Sequence, residues 1–191
     1  EIMKIIRSHG WIRDIKEKKK WISKFPKINP NFLFVNEGYN LRLTEPQAKM
    51  GMIQIRKLDK FINRRRQNAK LLLSLMKIFS KFFLYQVEKE NSFHSWFGFI
   101  IIIKDISTIN REKLCNFLKN NGIETRAVVS GNFTSQPVVK NFKHRVVGKL
   151  TNSRKVMLNG FSIGIHQNLR KNDIEYIFTK FQKFLNIEGL L

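Results

Sequence analysis

Within residues 38–45, Gly-Tyr-Asn-Leu-Arg-Leu-Thr-Glu, one side-chain amide, one guanidinium and a helix-start signal stand close together. Asn40 offers an amide that donates hydrogen bonds, and Arg42, two residues on, offers a fork that grips a phosphate or a carboxylate bidentately. Thr44, with Gln47 three residues later and Pro46 in the first turn, forms a capping box that opens a helix. The amino terminus of a helix has unpaired N–H groups and a partial positive charge, so anions settle near it. Together these features suit a phosphorylated ligand. The same residues also describe an ordinary turn with Arg42 paired to a surface carboxylate, and spacing alone leaves both readings open.

Two further polar residues, Arg126 and Asn132, follow an expected strand, where loops commonly carry ligand contacts. Arg126 is suited either to a phosphate or sugar hydroxyl or to a structural ion pair. Asn132-Phe133-Thr134 matches a glycosylation acceptor by chance, since nothing indicates secretion. The single cysteine, Cys115, has no disulfide partner within the chain and sits in Arg-Glu-Lys-Leu-Cys-Asn-Phe-Leu as a small core residue. A reducing, cytoplasmic setting and no metal site are expected.

The elements that must position these residues are encoded along a chain of 191 residues with 42% apolar content, enough for one large domain or two small ones. The pattern at residues 1–7 is helical with no start signal ahead of it, so the chain is expected to be a piece of a longer protein. No apolar run is long enough to cross a bilayer; the longest, residues 96–103, has the length of one buried strand. The formal charge of +22 allows a phosphate-rich partner such as nucleic acid, with basic runs at residues 16–20 and 64–66. The abundance of Lys, Ile, Asn and Phe and the spread of the basic residues fit AT-rich coding and a solvated surface better.

From Thr44 the apolar spacing predicts one long helix to about Phe79, adjusted near Gly51. The continuous apolar stretch 95–104 predicts a strand buried on both faces. Asn110 caps a helix that Gly122 stops, and residues 123–129 form the next strand, in one sheet with 96–103. A helix in 151–160, a strand over 161–165, and a last helix opened by a box of Asn172 with Glu175 complete the pattern. Strands alternate with helices, which implies an α/β or α+β layered structure with its boundary near residues 80–95.

The stretch 38–72, GYNLRLTEPQAKMGMIQIRKLDKFINRRRQNAKLL, resembles a motif of the DegT/DnrJ/EryC1/StrS family of pyridoxal-phosphate-dependent sugar aminotransferases. Residues 7–14, RSHGWIRD, sit where that family has a similar stretch. Downstream, SWFGFIIIIK, GIETRAVVSGNFTSQPVVK and HRVVGKLTNSRKVMLNGFSIGIHQNL are similar to the branch containing the nucleotide-sugar 3-dehydratases of lipopolysaccharide biosynthesis.

This resemblance implies the α/β fold of aspartate-aminotransferase-type enzymes (fold type I). Residues 1–80 would end the large cofactor domain and supply a joining helix, and 81–191 would form a small carboxy-terminal domain. The implied cofactor is pyridoxal or pyridoxamine 5'-phosphate, and the implied substrate a nucleotide-diphosphate-linked 4-keto-6-deoxy sugar. The lysine of the aminotransferases, or the histidine of the 3-dehydratases, would lie before Glu1, so no catalytic residue is named, although His9 is a candidate. Asn40 matches an asparagine that reaches the cofactor phosphate of the neighbouring subunit, and Arg42 an arginine close to the same site. Arg13 and Phe32 (or Phe34) would lie near substrate, as would Arg126 and Asn132. His9 is equally suited to a capping or core position, and the two phenylalanines to plain packing. His166, followed by Gln167 where many relatives have proline, is given no role. A homodimer with shared sites is implied, with an iron–sulfur reductase as partner if the enzyme is of the reductive dehydrase type. A basic nucleic-acid-binding module without catalysis is the alternative from a different functional class.

Overall fold

A computed structural model describes all 191 residues, which fall into two compact units, residues Glu1–Lys57 and Leu58–Leu191. The first unit contains α1 (Ile2–Ile6), α2 (Lys18–Lys24) and α3 (Glu45–Ile55), with single 3-10 turns at Ile12–Asp14 and Pro30–Phe32. Its core is small: Ile5, Ile12, Ile15 and Leu33 are buried, with Trp21, Ile22, Phe25 and Val35 packed around them. Two isolated antiparallel bridges, Ser8 to Asn40 and Trp11 to Phe34, replace a sheet. They need close backbone approach. A Cβ on Gly10 (φ +81°) would stand 1.7 Å from the Asn36 carbonyl oxygen, and one on Gly38 would stand 2.0 Å from the Gly10 nitrogen.

The helix expected to run unbroken from residue 44 to 79 is two helices, α3 and α4 (Leu58–Met76), followed by a 3-10 turn at Lys77–Phe79. Gly51 is not where it breaks. The Gln47 side chain accepts from the Thr44 N–H at 3.0 Å to open α3, and Gly51 stays inside it. The interruption comes at Arg56 and Lys57, where the Lys57 N–H reaches back only three residues, to Gln54 O at 3.0 Å.

The second unit adds β1 (Phe83–Tyr85), β2 (Gly98–Ile103), α5 (Arg111–Asn120), β3 (Thr125–Ala127), α6 (Thr151–Asn159), β4 (Gly160–Gly164) and α7 (Lys171–Ile187). The sheet order is β1-β2-β4-β3 and every pair is antiparallel, with Phe83 opposite Ile103, Gly98 opposite Gly164 and Arg126 opposite Ser162. The two expected strands therefore share one sheet, with β4 between them. The expectation that both faces of β2 are buried is corrected. Phe99, Ile101 and Ile103 are buried, whereas Ile100 and Ile102 are only half-buried, because the helices that fill the core cover one face.

Leu72 and Met76 of α4, Leu114 and Leu118 of α5, and Ile174, Phe181 and Leu185 of α7 close that core. Burial of Ala69, Leu72 and Met76 is the reason the second unit starts at Leu58 rather than near residue 81. At α5 the Asn110 cap forms as expected, its side chain accepting from the Lys113 N–H at 2.9 Å. At α7 the box is displaced by two residues: the Asp173 carboxylate accepts from the Arg170 N–H at 2.7 Å, and Glu175 instead lies 3.5 Å from Lys171. No helix is long and apolar enough to cross a membrane.

Candidate functional site

Residues 7–14 and 38–42 run side by side in the first unit. The Leu41 N–H donates to Arg7 O and the His9 N–H to Tyr39 O, each at 3.0 Å, which sets Ser8 opposite Asn40. Arg42 then lies over the first segment, donating from Nε to Ser8 Oγ at 3.0 Å with Nη2 2.8 Å from the Asp14 carboxylate. Ser8 is fully buried. Asn40, by contrast, is exposed, and its side-chain amide has no intramolecular hydrogen bond. The arrangement thus holds one side chain rigidly and leaves its neighbour free.

Around this pair lies an aromatic stack. The Trp11 ring is 5.5 Å from Phe34 and 6.1 Å from Phe32, both stacked, and its Nε1–H donates to Asn31 O at 2.7 Å. The Arg13 guanidinium sits 4.2 Å from the Trp11 ring centre, with its Nε 3.5 Å from Asp14. Phe32 and Phe34 are 64% and 52% exposed, so they are not core residues; they pack on Trp11 and present their outer faces to solvent. His9 is exposed in the left-handed region (φ +62°), which removes the core reading for it as well. His9, Arg13, Phe32, Phe34, Asn40 and Arg42 are therefore all in one small unit. Ser8, Asp14 and Trp11, which orient them, were not singled out from the sequence. They lie inside the quoted motif RSHGWIRD, and only the tertiary pairing reveals their part.

Arg126 and Asn132 belong to the second unit. Arg126 is exposed and donates from Nε and Nη2 to the Glu124 carboxylate at 3.0 Å, a surface ion pair on β3. Asn132 is buried, and its side-chain oxygen accepts from Thr134 Oγ1 at 2.8 Å and from the Thr134 N–H at 3.3 Å, which shapes a turn. A cavity of about 670 Å³ opens at the strand ends of this unit, lined by Phe97, Gly98, Ser162, His166, Arg65 and Arg126. Of the residues expected at a site, it contains Arg126.

The basic run at 64–66 is a structural feature of the same unit. Arg64 donates to Leu169 O at 3.3 Å, Arg65 to Gln167 at 3.0 Å, and Arg66 to both Glu88 oxygens, at 2.6 and 3.0 Å, and to His94 O at 2.9 Å. Glu88 also accepts from the His94 N–H at 2.8 Å. Its carboxyl is held below the usual range, chiefly by the Arg66 hydrogen bond. No group of three or more His, Cys, Asp or Glu side chains is gathered to hold a metal.

The fold that carries this arrangement is shared with solved enzymes of the pyridoxal-phosphate-dependent aminotransferase type. The chain superimposes with a TM-score of 0.83 and 34% identity on the E. coli GDP-4-keto-6-deoxy-D-mannose 3-dehydratase with bound hydrated PLP, covering 94% of this chain and 46% of that one. The Helicobacter pylori aminotransferase PseC, at 18% identity, shares the fold with a TM-score of 0.75, across 97% of this chain and 45% of that one. Residues 1–182 match the profile of the DegT/DnrJ/EryC1/StrS aminotransferase family, and the chain belongs to that family. It is 35% identical over 186 residues to the GDP-4-keto-6-deoxy-D-mannose 3-dehydratase of Yersinia pseudotuberculosis, 95% of this chain and 46% of the relative. It is also 35% identical over 156 residues to the lipopolysaccharide biosynthesis protein RfbH of Salmonella typhimurium, 82% of this chain and 36% of the relative. The chain spans less than half the length of these relatives. The family resemblance carried by residues 7–14 and 38–72 is thereby borne out.

Proposed function

We propose that these residues are the carboxy-terminal part of a pyridoxal- or pyridoxamine-phosphate-dependent 3-dehydratase. Its substrate is a nucleotide-linked 4-keto-6-deoxy sugar, and its product serves lipopolysaccharide or O-antigen assembly. The observation that carries the reading is the free amide of Asn40, presented beside Arg42 by the backbone pairing with residues 7–9. The donor set fits the phosphate end of the cofactor: a neutral amide and the amino terminus of the eleven-residue α3 favour an anion. When bound, the cofactor supplies a pyridinium ring that withdraws electrons from the reacting carbon. Asn40 orients its phosphate, in the partner subunit of a homodimer, and Arg42 keeps the segment carrying Asn40 in register. The exposed rings of Phe32 and Phe34, with Trp11 and Arg13 behind them, form a planar, cationic surface for the substrate.

Dehydration is favoured over transamination because the two relatives at 35% identity over the most residues carry the 3-dehydratase name. A reductase partner belongs to this reading only for the reductive type of dehydrase. A nucleic-acid-binding module is disfavoured, since Arg64, Arg65 and Arg66 are all engaged within the fold.

The test is cofactor titration of the full-length protein carrying Asn40→Ala. Loss of one hydrogen bond to a charged acceptor costs about 1.5–3 kcal/mol, which weakens binding roughly ten- to hundredfold. Dimer and fold should remain intact, because Asn40 is exposed. Unchanged cofactor affinity would remove Asn40 from the site. Residues 1–191 alone are expected to show no turnover of a keto sugar, and measurable turnover by them would overturn the assignment of the reacting centre to the missing part.

A further inference from the structure

His94 is engaged at both of its ring nitrogens. The Trp96 N–H donates to Nδ1 at 2.8 Å, so Nδ1 carries a lone pair and the proton of the neutral ring sits on Nε2. Nε2 in turn lies 2.6 Å from the side-chain amide of Gln86. With the amide nitrogen on that side, one donor would face another, while the Gln86 Oε1 is buried without a partner. Turning the amide end for end removes both faults, because Oε1 then accepts from Nε2–H. The ring is thus an acceptor at Nδ1 and a donor at Nε2.

What it secures is Trp96. That residue stands in the left-handed region (φ +53°), which a bulky side chain adopts only when its surroundings impose it. It lies two residues before β2, with its ring 4% exposed, stacked on Phe99 at 5.9 Å and edge-on to His94 at 4.8 Å. The His94 backbone is tied as well: its N–H donates to Glu88 Oε1 at 2.8 Å, and its carbonyl accepts from Arg66 Nη1 at 2.9 Å. Arg66 of α4 and Glu88 are the charged groups that face His94. They are paired with each other at 2.6 Å, so their opposite charges largely offset one another at the ring. The hydrogen bonds at Nδ1 and Nε2 therefore decide which form of the ring the fold accepts. All of these partners belong to the second unit.

We propose that His94 is an acid-released latch: its neutral ring holds Trp96 in place, and protonation at Nδ1 turns the acceptor into a donor and frees the backbone at Trp96. The opened segment takes up a proton that the closed one has no room for, so opening is favoured as the pH falls. This device is independent of the proposed dehydration, and its test reads no activity.

The experiment is amide hydrogen exchange of the full-length protein, read by mass spectrometry on overlapping peptides across residues 91–97. It runs from about pH 8 to about pH 5, the range in which imidazoles gain a proton. Glu88 stays ionised there, since its carboxyl is held below the usual range. After correction for intrinsic rates, protection of the Trp96 amide should fall about tenfold, close to what one hydrogen bond contributes. In His94→Asn the side chain still offers an oxygen to the N–H two residues on, so protection should persist at every pH. In Gln86→Glu a carboxylate meets Nε2–H and favours the charged ring, so the fall should move to higher pH. Constant protection in the unmodified protein overturns the proposal. A fall that persists in His94→Asn overturns it too, because another group then titrates, and so does a Gln86→Glu profile that does not move. Should His94→Asn fail to fold, the Gln86→Glu profile alone decides.

Discussion

Arg42 is locked to Asp14: its Nη2 lies 2.8 Å from the Asp14 carboxylate while its Nε donates to the buried Ser8 hydroxyl at 3.0 Å. The residue that follows Asn40 by two positions is thus a fastening between the two segments that display the site. Arg42→Ala should destabilise the first unit by about 1–3 kcal/mol, mostly by leaving the buried Ser8 hydroxyl without its partner and Asp14 with only the longer Arg13 contact. Arg42→Lys should recover only part of this, since a point charge cannot reach both acceptors with the geometry of a fork. Denaturant midpoints, with hydrogen exchange at the His9 and Leu41 amides, check the prediction. Unaltered exchange in Arg42→Ala would show that the pairing holds without it.

Gly38→Ala should disrupt the same region far more than Gly51→Ala disturbs α3. A Cβ at residue 38 meets the Gly10 backbone nitrogen at 2.0 Å, and backbone cannot rotate aside. A Cβ at Gly51 meets nothing within 4 Å, in the middle of a helix. The second substitution should stabilise by roughly 0.5–1 kcal/mol, as alanine replaces glycine in an exposed helix. Comparative thermal melts of the two variants give the answer, and a neutral Gly38→Ala would mean the close approach is not maintained in solution.

Glu88 makes the second unit acid-sensitive. The Arg66 hydrogen bond, then the His94 N–H, hold its carboxyl below the usual range. A folded-state value below the unfolded one, about 4.3, gives stability that is present above that pH and is lost as the pH falls through the folded value. Urea midpoints measured from neutrality down to about pH 3 should therefore fall less steeply in Glu88→Gln than in the unmodified protein. Equal slopes would assign the acid sensitivity to other carboxylates, such as Asp105, which the Ser107 hydroxyl holds low in the same way.

Cys115 should be a poor nucleophile in the folded protein. Burial pushes its thiol up, outweighing the opposing influences of a Thr125 hydrogen bond and the Arg111 charge. Modification by a maleimide at neutral pH should be slow in the native protein and rapid in denaturant, because the thiolate is the reacting form. Equal rates would show that the thiol is already accessible and ionised in the fold.

Many of the elements, and the residues of the candidate site, could be read from local order in the chain. Caps act over three or four residues, so Gln47 at α3 and Asn110 at α5 were legible. The apolar spacing of α4, α5 and α7 was legible because a helix must turn one face to a core whatever that core is. The motifs that carry the family resemblance contain Asn40, Arg42, His9 and Arg13, candidate residues that the fold gathers in its first unit.

What tertiary structure decided depends on partners distant in sequence. The sequence of β2 is apolar at every position from Phe99 to Ile103, so it could not say which face the helices would cover; packing buries Phe99, Ile101 and Ile103 and leaves Ile100 and Ile102 half-open. Arg66 finds Glu88 across 22 residues, and Arg42 finds Ser8 across 34, pairings that charge patterns along the chain do not express. The break between α3 and α4 and the unit boundary at Leu58 arise because α4 buries Leu72 and Met76 in the sheet's core, while every residue of α3 is exposed. Local propensity determined where helices could begin; the competition among buried surfaces determined where they end and which side chains remain free for a ligand.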